Sequence, residues 1–200
     1  MNKYASVVVC DEGPRQQVHS GYVTLKAPKL HEIDIKDIAQ GLSRLPRFMG
    51  QTHLKLRPYS VAQHSVYAYL KAPEPFKLEA LLHDAGEYLY GDVPSPLKLV
   101  LEELAPGLFF TIRSPIDTAI AEKFNLQVTA QVEHIIDEID SRLLSTEKRD
   151  LMNDLGAWGK LQFPYGDMYI TPWSASYARM RFMMAFNSEM EKRNADSGNR

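Results

Sequence analysis

Four positions carry side chains able to ligate a metal or move a proton in settings that draw them together: His64 within Gln63-His64-Ser65, the adjacent pair His83-Asp84, and Asp140. Taken singly each is ordinary, since a helix histidine usually packs and an isolated aspartate often caps. Their surroundings argue otherwise. Across 129–151, Val132, Ile136, Leu143 and Leu144 mark the buried face of a helix, and Asp140 falls four residues after Ile136 and four before Leu144, on that face. A buried carboxylate needs a cation or a strong donor opposite it, because leaving it unpaired costs on the order of several kcal/mol. Around the second pair, Leu78, Leu81, Leu82 and Ala85 form an inward stripe that carries His83 and Asp84 toward the interior. Two imidazole nitrogens and two carboxylate oxygens from three helices make a site of borderline hardness. It suits Mn²⁺, Fe²⁺, Co²⁺, Ni²⁺ or Zn²⁺ and leaves positions for water and substrate. Such a site generates hydroxide at neutral pH. Glu87 follows His83 by one helical turn, so it is expected beside the reactive water without ligating the metal. Asp92 comes five residues further on, in the loop that opens with Gly91.

Just before this constellation the charge is segregated. Between Ile38 and Pro73 there is no Asp or Glu, while Arg44, Arg47, Lys55, Arg57 and Lys71 are all present, in a chain of net charge −2. A block of this kind often serves only as a solvated face. Arg44 and Arg47, however, flank Pro46 where a helix gives way to a loop, and a guanidinium fork matches phosphate oxygens.

The elements that must hold these groups are mostly helical. Ile33, Ile35, Ile38, Leu42 and Leu45 recur at helical spacing, with Asp34 and Asp37 at the N-terminal turn and Pro46 at the end. Further helices are expected over roughly 60–72, 77–89, 97–105, 108–124, 129–151 and 174–192, joined by short Pro- and Gly-bearing turns. None of the connections is long enough to be an interdomain linker. Residues 1–30 read as a β-rich extension, with Ser6-Val7-Val8-Val9 and Gly21-Tyr22-Val23-Thr24-Leu25 as the arms of a hairpin across Asp11-Glu12-Gly13-Pro14. An extended segment over Leu161–Ile170 is expected to pair with that hairpin, and 188–200 to form a flexible tail. The 200 residues thus read as one all-α domain with a small N-terminal β-hairpin, with 44% hydrophobic and 24% charged residues. A single cysteine, Cys10, excludes a disulfide scaffold and fits a reducing cytoplasm. No apolar run approaches the ~18 residues of a membrane span, and the net charge argues against a nucleic-acid coat.

The order His64…His83-Asp84…Asp140 resembles the H…HD…D pattern of the HD-domain metal-dependent phosphohydrolases, and the neighbouring words sharpen the likeness. Tyr59-Ser60-Val61-Ala62-Gln63-His64-Ser65 resembles that family's first metal-histidine motif. His83-Asp84-Ala85-Gly86-Glu87 with Gly91-Asp92-Val93-Pro94-Ser95-Pro96-Leu97-Lys98 is similar to its bacterial 5′-deoxynucleotidase branch. Ile33 to Ala39 and Leu45-Pro46-Arg47-Phe48 are similar to phage and prophage members, the phage dATP triphosphohydrolases included. The likeness covers roughly 33–150. It implies an HD-domain helical core, with His64, His83, Asp84 and Asp140 holding one divalent transition metal and Glu87 positioning or deprotonating water. It further implies Asp92 assisting proton transfer or touching the sugar, Arg47 and Lys98 on phosphate, and additional Mg²⁺ travelling with the phosphates. Phe48 is a candidate to stack on the base. One departure is Gln63 where the nucleotidases carry a glutamate.

The expected reaction is hydrolysis of a deoxynucleotide at its α-phosphorus, first of all dATP to deoxyadenosine and triphosphate. The alternatives are a 5′-deoxynucleotidase acting on monophosphates and, from another class, a nucleotide sensor that binds without hydrolysis. Retention of Glu87 and Asp92 favours an enzyme. No stable nucleic-acid or membrane partner is expected, and a homo-oligomer is, with Leu108, Phe109 and Phe110 either its contact or part of the core.

Overall fold

The computed structural model describes residues 9–153, 155, 156 and 158–198. It is mostly helical, with one small antiparallel sheet near the N-terminus. In the sheet, β1 (Val9–Cys10) pairs with β2 (Gly13–Gln17), and β2 with β3 (Tyr22–Thr24), in the register Arg15↔Thr24, Gln16↔Val23 and Gln17↔Tyr22. The expected arms are therefore separated by a middle strand. Gly13-Pro14-Arg15-Gln16-Gln17 lacks apolar alternation because both of its faces are largely open to water, which hid it from the pattern. Of the expected first arm, Ser6, Val7 and Val8 lie outside the described residues. Glu32 anchors the sheet, accepting from the Thr24 amide and hydroxyl and from Arg15 Nη2, and Val23 enters the main core.

Eight α-helices follow among the described residues. α1 (Ile35–Leu42) is capped by Asp34, α2 (Val61–Lys71) by Ser60 and α7 (Ala130–Leu151) by Thr129, each side chain accepting from a first-turn amide. Between α1 and α2, Pro46 bridges to Ser60 and the Arg47 amide donates to the Tyr59 carbonyl, so the intervening loop leaves and rejoins the core at one point. α2 is the central element. Val61 through Val66 are all buried, and the helix packs against α3 (Lys77–Leu82), α7 and α8 (Ala175–Gly198).

The helix expected over 77–89 is broken by a turn at His83–Gly86 into α3 and α4 (Glu87–Tyr90). A Cβ on Gly86 would run into the Asp117 carboxylate and the Tyr90 ring, so glycine lets the turn sit against α6 (Leu108–Phe124). α5 (Ser95–Leu104) differs from the rest in having no buried residue, and Leu99 and Leu104 are exposed.

Two expectations about the C-terminal third are corrected. Leu161–Ile170 forms no strand and does not join the sheet, because side chains of α7 satisfy its backbone. The Tyr165 amide donates to Thr146 Oγ1 and the Ile170 amide to Asp150, while Arg149 donates to the carbonyls of Tyr165 and Met168. The helix expected to stop at 192 runs on to Gly198. Its polar end is anchored by Lys192 to Glu74 and Glu189 and by Arg193 to Glu79.

Candidate metal centre

Three elements deliver the ligating atoms. His64 sits in the buried middle of α2, His83 and Asp84 on the turn that breaks the α3–α4 segment, and Asp140 on α7. Both side chains of the adjacent pair converge within this turn, whose backbone stays in the right-handed helical region at His83 and Gly86. His83 Nε2 lies 3.1 Å from Asp84 Oδ2 and 3.2 Å from His64 Nε2. His64 Nε2 lies 3.1 Å from Asp140 Oδ1 and 3.5 Å from Asp84 Oδ2. The ligand atoms of His64, His83 and Asp84 all fall within 4.8 Å of one another.

The hydrogen-bond partners fix what these nitrogens offer. His64 Nδ1 donates to Glu147 Oε1 at 2.6 Å and His83 Nδ1 to the Ala80 carbonyl at 2.8 Å, both partners being pure acceptors. In neutral rings the two Nε2 lone pairs then meet each other and two carboxylate oxygens. Asp140 Oδ1 is buried yet has no hydrogen-bond donor. Three of these acceptors, on His64, His83 and Asp84, form a group able to hold a metal ion, with Asp140 Oδ1 beside His64 Nε2, and the donor set fits a divalent transition cation. Without one, a proton takes the place. Burial and the Arg47 charge push His64 down, but Glu147 and Asp140 outweigh both and hold it up at about 10. His83 is raised in spite of its burial by the Asp84 carboxylate. Asp84 is held well below the usual carboxylate range because His83, His64 and Arg47 overcome its desolvation. By the same balance, with His64 the main partner, Asp140 is lowered to about 2.

Beside these groups opens a cavity of about 610 Å³ lined by Arg47, Phe48, Asp84, Glu87, Asp92, Lys98, Asp140 and Trp158, with Met49, Val93, Pro94, Leu144 and Leu161 completing an apolar wall. Phe48 and Met49 hold left-handed backbone, φ 54° and 52°, a strain of about 1–3 kcal/mol each that the folded loop sustains. Phe48 packs on Trp158 with ring centroids 5.8 Å apart. Glu87 is buried and its Oε2 has no partner; desolvation first, then Asp84 and Asp92, push it up to about 9. Burial likewise raises Asp92. Lys98 reaches the cavity from α5 with its ammonium over the Phe109 ring. On the far side of His83, Asp84 and Asp140 lies a second cavity of about 450 Å³, more acidic, lined by Glu79, Asp117, Glu133 and Asp137 among others.

All nine sequence-derived site residues thus surround one centre: His64 supplies its buried floor, His83 the rim shared with the second cavity, and the other seven line the first. The basic stretch does not act as a unit. Arg47 is buried at the site, but Arg44, Lys55 and Arg57 are exposed and line neither cavity, and Lys71 pairs with Asp167. Gln63 faces away from the centre, accepting from the Trp173 amide and donating to the Thr171 carbonyl and the Tyr67 hydroxyl. Its neutrality therefore carries no message about the charge of a substrate. Leu108 and Phe110 are exposed, whereas Phe109 packs on Tyr90.

Sequence reasoning missed Glu147 and Trp158. Glu147 had a signal, since it lies two helical turns after Asp140 and shares its face, whereas nothing in the spacing marks Trp158.

The uncharacterized protein YfdR of Escherichia coli (strain K12) is 37% identical to this chain over 165 residues, which cover 81% of this chain and 87% of YfdR. An uncharacterized protein of Rhodobacter capsulatus is 41% identical over 81 residues, 37% of this chain and 41% of that protein. No family model matches. The chain belongs to the YfdR family.

Proposed function

We propose that this protein is an HD-type, metal-dependent phosphohydrolase that cleaves the bond between the α-phosphorus and the 5′-oxygen of a deoxynucleotide, with dATP as the first substrate and deoxyadenosine and triphosphate as products. One observation carries the reading. The four convergent acceptors of His64, His83, Asp84 and Asp140 open onto a cavity that also holds a guanidinium, an ammonium, a partnerless buried carboxyl group and an aromatic pair. A bound divalent cation would lower the pKa of a water and orient the phosphorus.

The chain's own groups supply the rest. Arg47 and Lys98, both lining the cavity, would meet the charge that develops on the phosphoryl oxygens. Glu87 holds or accepts the water's proton at its partnerless oxygen; its raised pKa comes from burial and two carboxylates, and a cation among the ligands relieves that repulsion. Asp92 stands ready to protonate the departing 5′-oxygen or to bind the sugar, and Phe48 with Trp158 forms the apolar wall against a base. A second reading, a 5′-deoxynucleotidase acting on monophosphates, is favoured by the small number of cations. Among the described residues Arg47 and Lys98 are the cationic groups lining this cavity, few for a triphosphate that brings no Mg²⁺ of its own.

The test incubates Mn²⁺- or Co²⁺-loaded protein with dATP, dGTP, dAMP and ATP in parallel and separates the products by ion exchange, with Asp84→Ala as control. Deoxyadenosine with intact triphosphate is the expected result. Turnover of dAMP alone selects the second reading, release of dADP contradicts attack at the α-phosphorus, and binding without turnover makes the protein a sensor.

A further inference from the structure

Glu147 is wholly buried on α7 and reaches two residues of the centre from below. Oε1 takes the His64 Nδ1 proton at 2.6 Å, and Oε2 accepts from Arg47 Nε at 3.3 Å and Nη2 at 3.2 Å. The remaining ion pairs of Arg47 go to two of the candidate ligands, Asp84 Oδ2 at 3.5 Å and Asp140 Oδ1 at 3.9 Å. The guanidinium therefore stands at the edge of the place a cation would take, and Glu147 is, among the described residues, the partner that holds it through two nitrogens. A buried arginine deprived of a carboxylate seeks another, because an unpaired buried charge is costly.

We propose that Glu147 is a positioning residue with a double hold: it fixes the His64 ring with its Nε2 lone pair toward the cation, and it restrains Arg47 from closing on Asp84 and Asp140 as a competing cation. This rests on the metal-centre reading above and goes beyond it by naming what keeps the site open. The first hold alone predicts a loss of metal affinity on removing the carboxylate, typically 10–100-fold for a residue behind a ligating histidine. The second adds something a structural role lacks: a share of that loss is caused by Arg47 and is regained when Arg47 is removed as well.

The experiment is a double-mutant cycle read by Co²⁺ titration, following the visible absorption of the bound ion, on the full chain with wild type, Glu147→Gln, Arg47→Gln and the pair. Ser145→Ala, a buried neighbour on α7 whose hydroxyl bonds only to the Ser141 carbonyl, controls for damage to the helix. Glu147→Asp, which keeps the charge on a shorter arm, serves if Glu147→Gln does not fold. Glu147→Gln is expected to weaken Co²⁺ binding 10–100-fold, with the double variant binding more tightly than Glu147→Gln alone and Ser145→Ala unchanged. Equal affinities for Glu147→Gln and wild type overturn the proposal while leaving the metal centre intact. Additive losses overturn the restraint on Arg47. Absence of Co²⁺ binding to wild type overturns the metal centre itself and this proposal with it.

Discussion

The two walls of the candidate site are built in opposite ways. On one side α2, α7 and the loop leading into α2 hold His64, Glu147 and Arg47, each less than a tenth exposed and joined through Glu147 by hydrogen bonds to His64 and Arg47. On the other side α5 carries Lys98 and the Pro94–Pro96 turn against the same cavity yet buries no residue of its own. A cation site needs ligands held to a few tenths of an ångström, so it belongs on the packed wall, where rotamers are locked. Substrate must enter and leave, so a lightly attached wall suits the groups that touch it.

This comparison can be broken at either wall. The largest effect is expected from Asp84→Ala, which removes a ligand and should abolish product release from dATP, measured chromatographically, with the helical circular dichroism retained. Leu143→Ala, at a fully buried position on α7, should cost about 2–5 kcal/mol of stability in urea unfolding. Leu99→Ala on α5, 66% exposed, should move it by less than about 0.5 kcal/mol; equal losses would erase the distinction between the walls. Metal affinity should rise with pH. In the cation-free site Glu147 and Asp140 hold His64 up at about 10, so below that pH a cation must displace a proton, and its apparent affinity should improve by up to about tenfold per pH unit. Calorimetry in buffers of different ionisation enthalpy checks this, and binding without proton release contradicts it. Lys98→Ala should raise KM for the nucleotide several-fold and leave the melting temperature unchanged.

Much of this arrangement is written locally in the chain. The helices over 61–71 and 130–151 follow from apolar period and the capping Ser60 and Thr129, and that over 108–124 from its apolar residues; Asp140, between the half-buried Ile136 and Leu144, reaches His64 with its side chain still 43% exposed. What escaped is non-local. β2 has no periodic signal, and Leu161–Ile170 has strand-like residues whose amides and carbonyls are claimed by α7. The turn at His83–Gly86 interrupts a run of helix formers because Gly86 must pass close to Asp117, a contact 31 positions away in sequence. The site showed the same division. Its candidate ligands were legible as polar groups on apolar stripes, whereas Trp158 reaches the cavity through tertiary packing alone.

His64, His83, Asp84 and Asp140 are the four residues proposed to hold one divalent cation. Anomalous diffraction at the cobalt edge from crystals grown with Co²⁺ tests this assignment most directly. One strong peak is expected about 2.0–2.2 Å from both Nε2 atoms and from an oxygen of each aspartate. A peak elsewhere, or none at this centre, would contradict it.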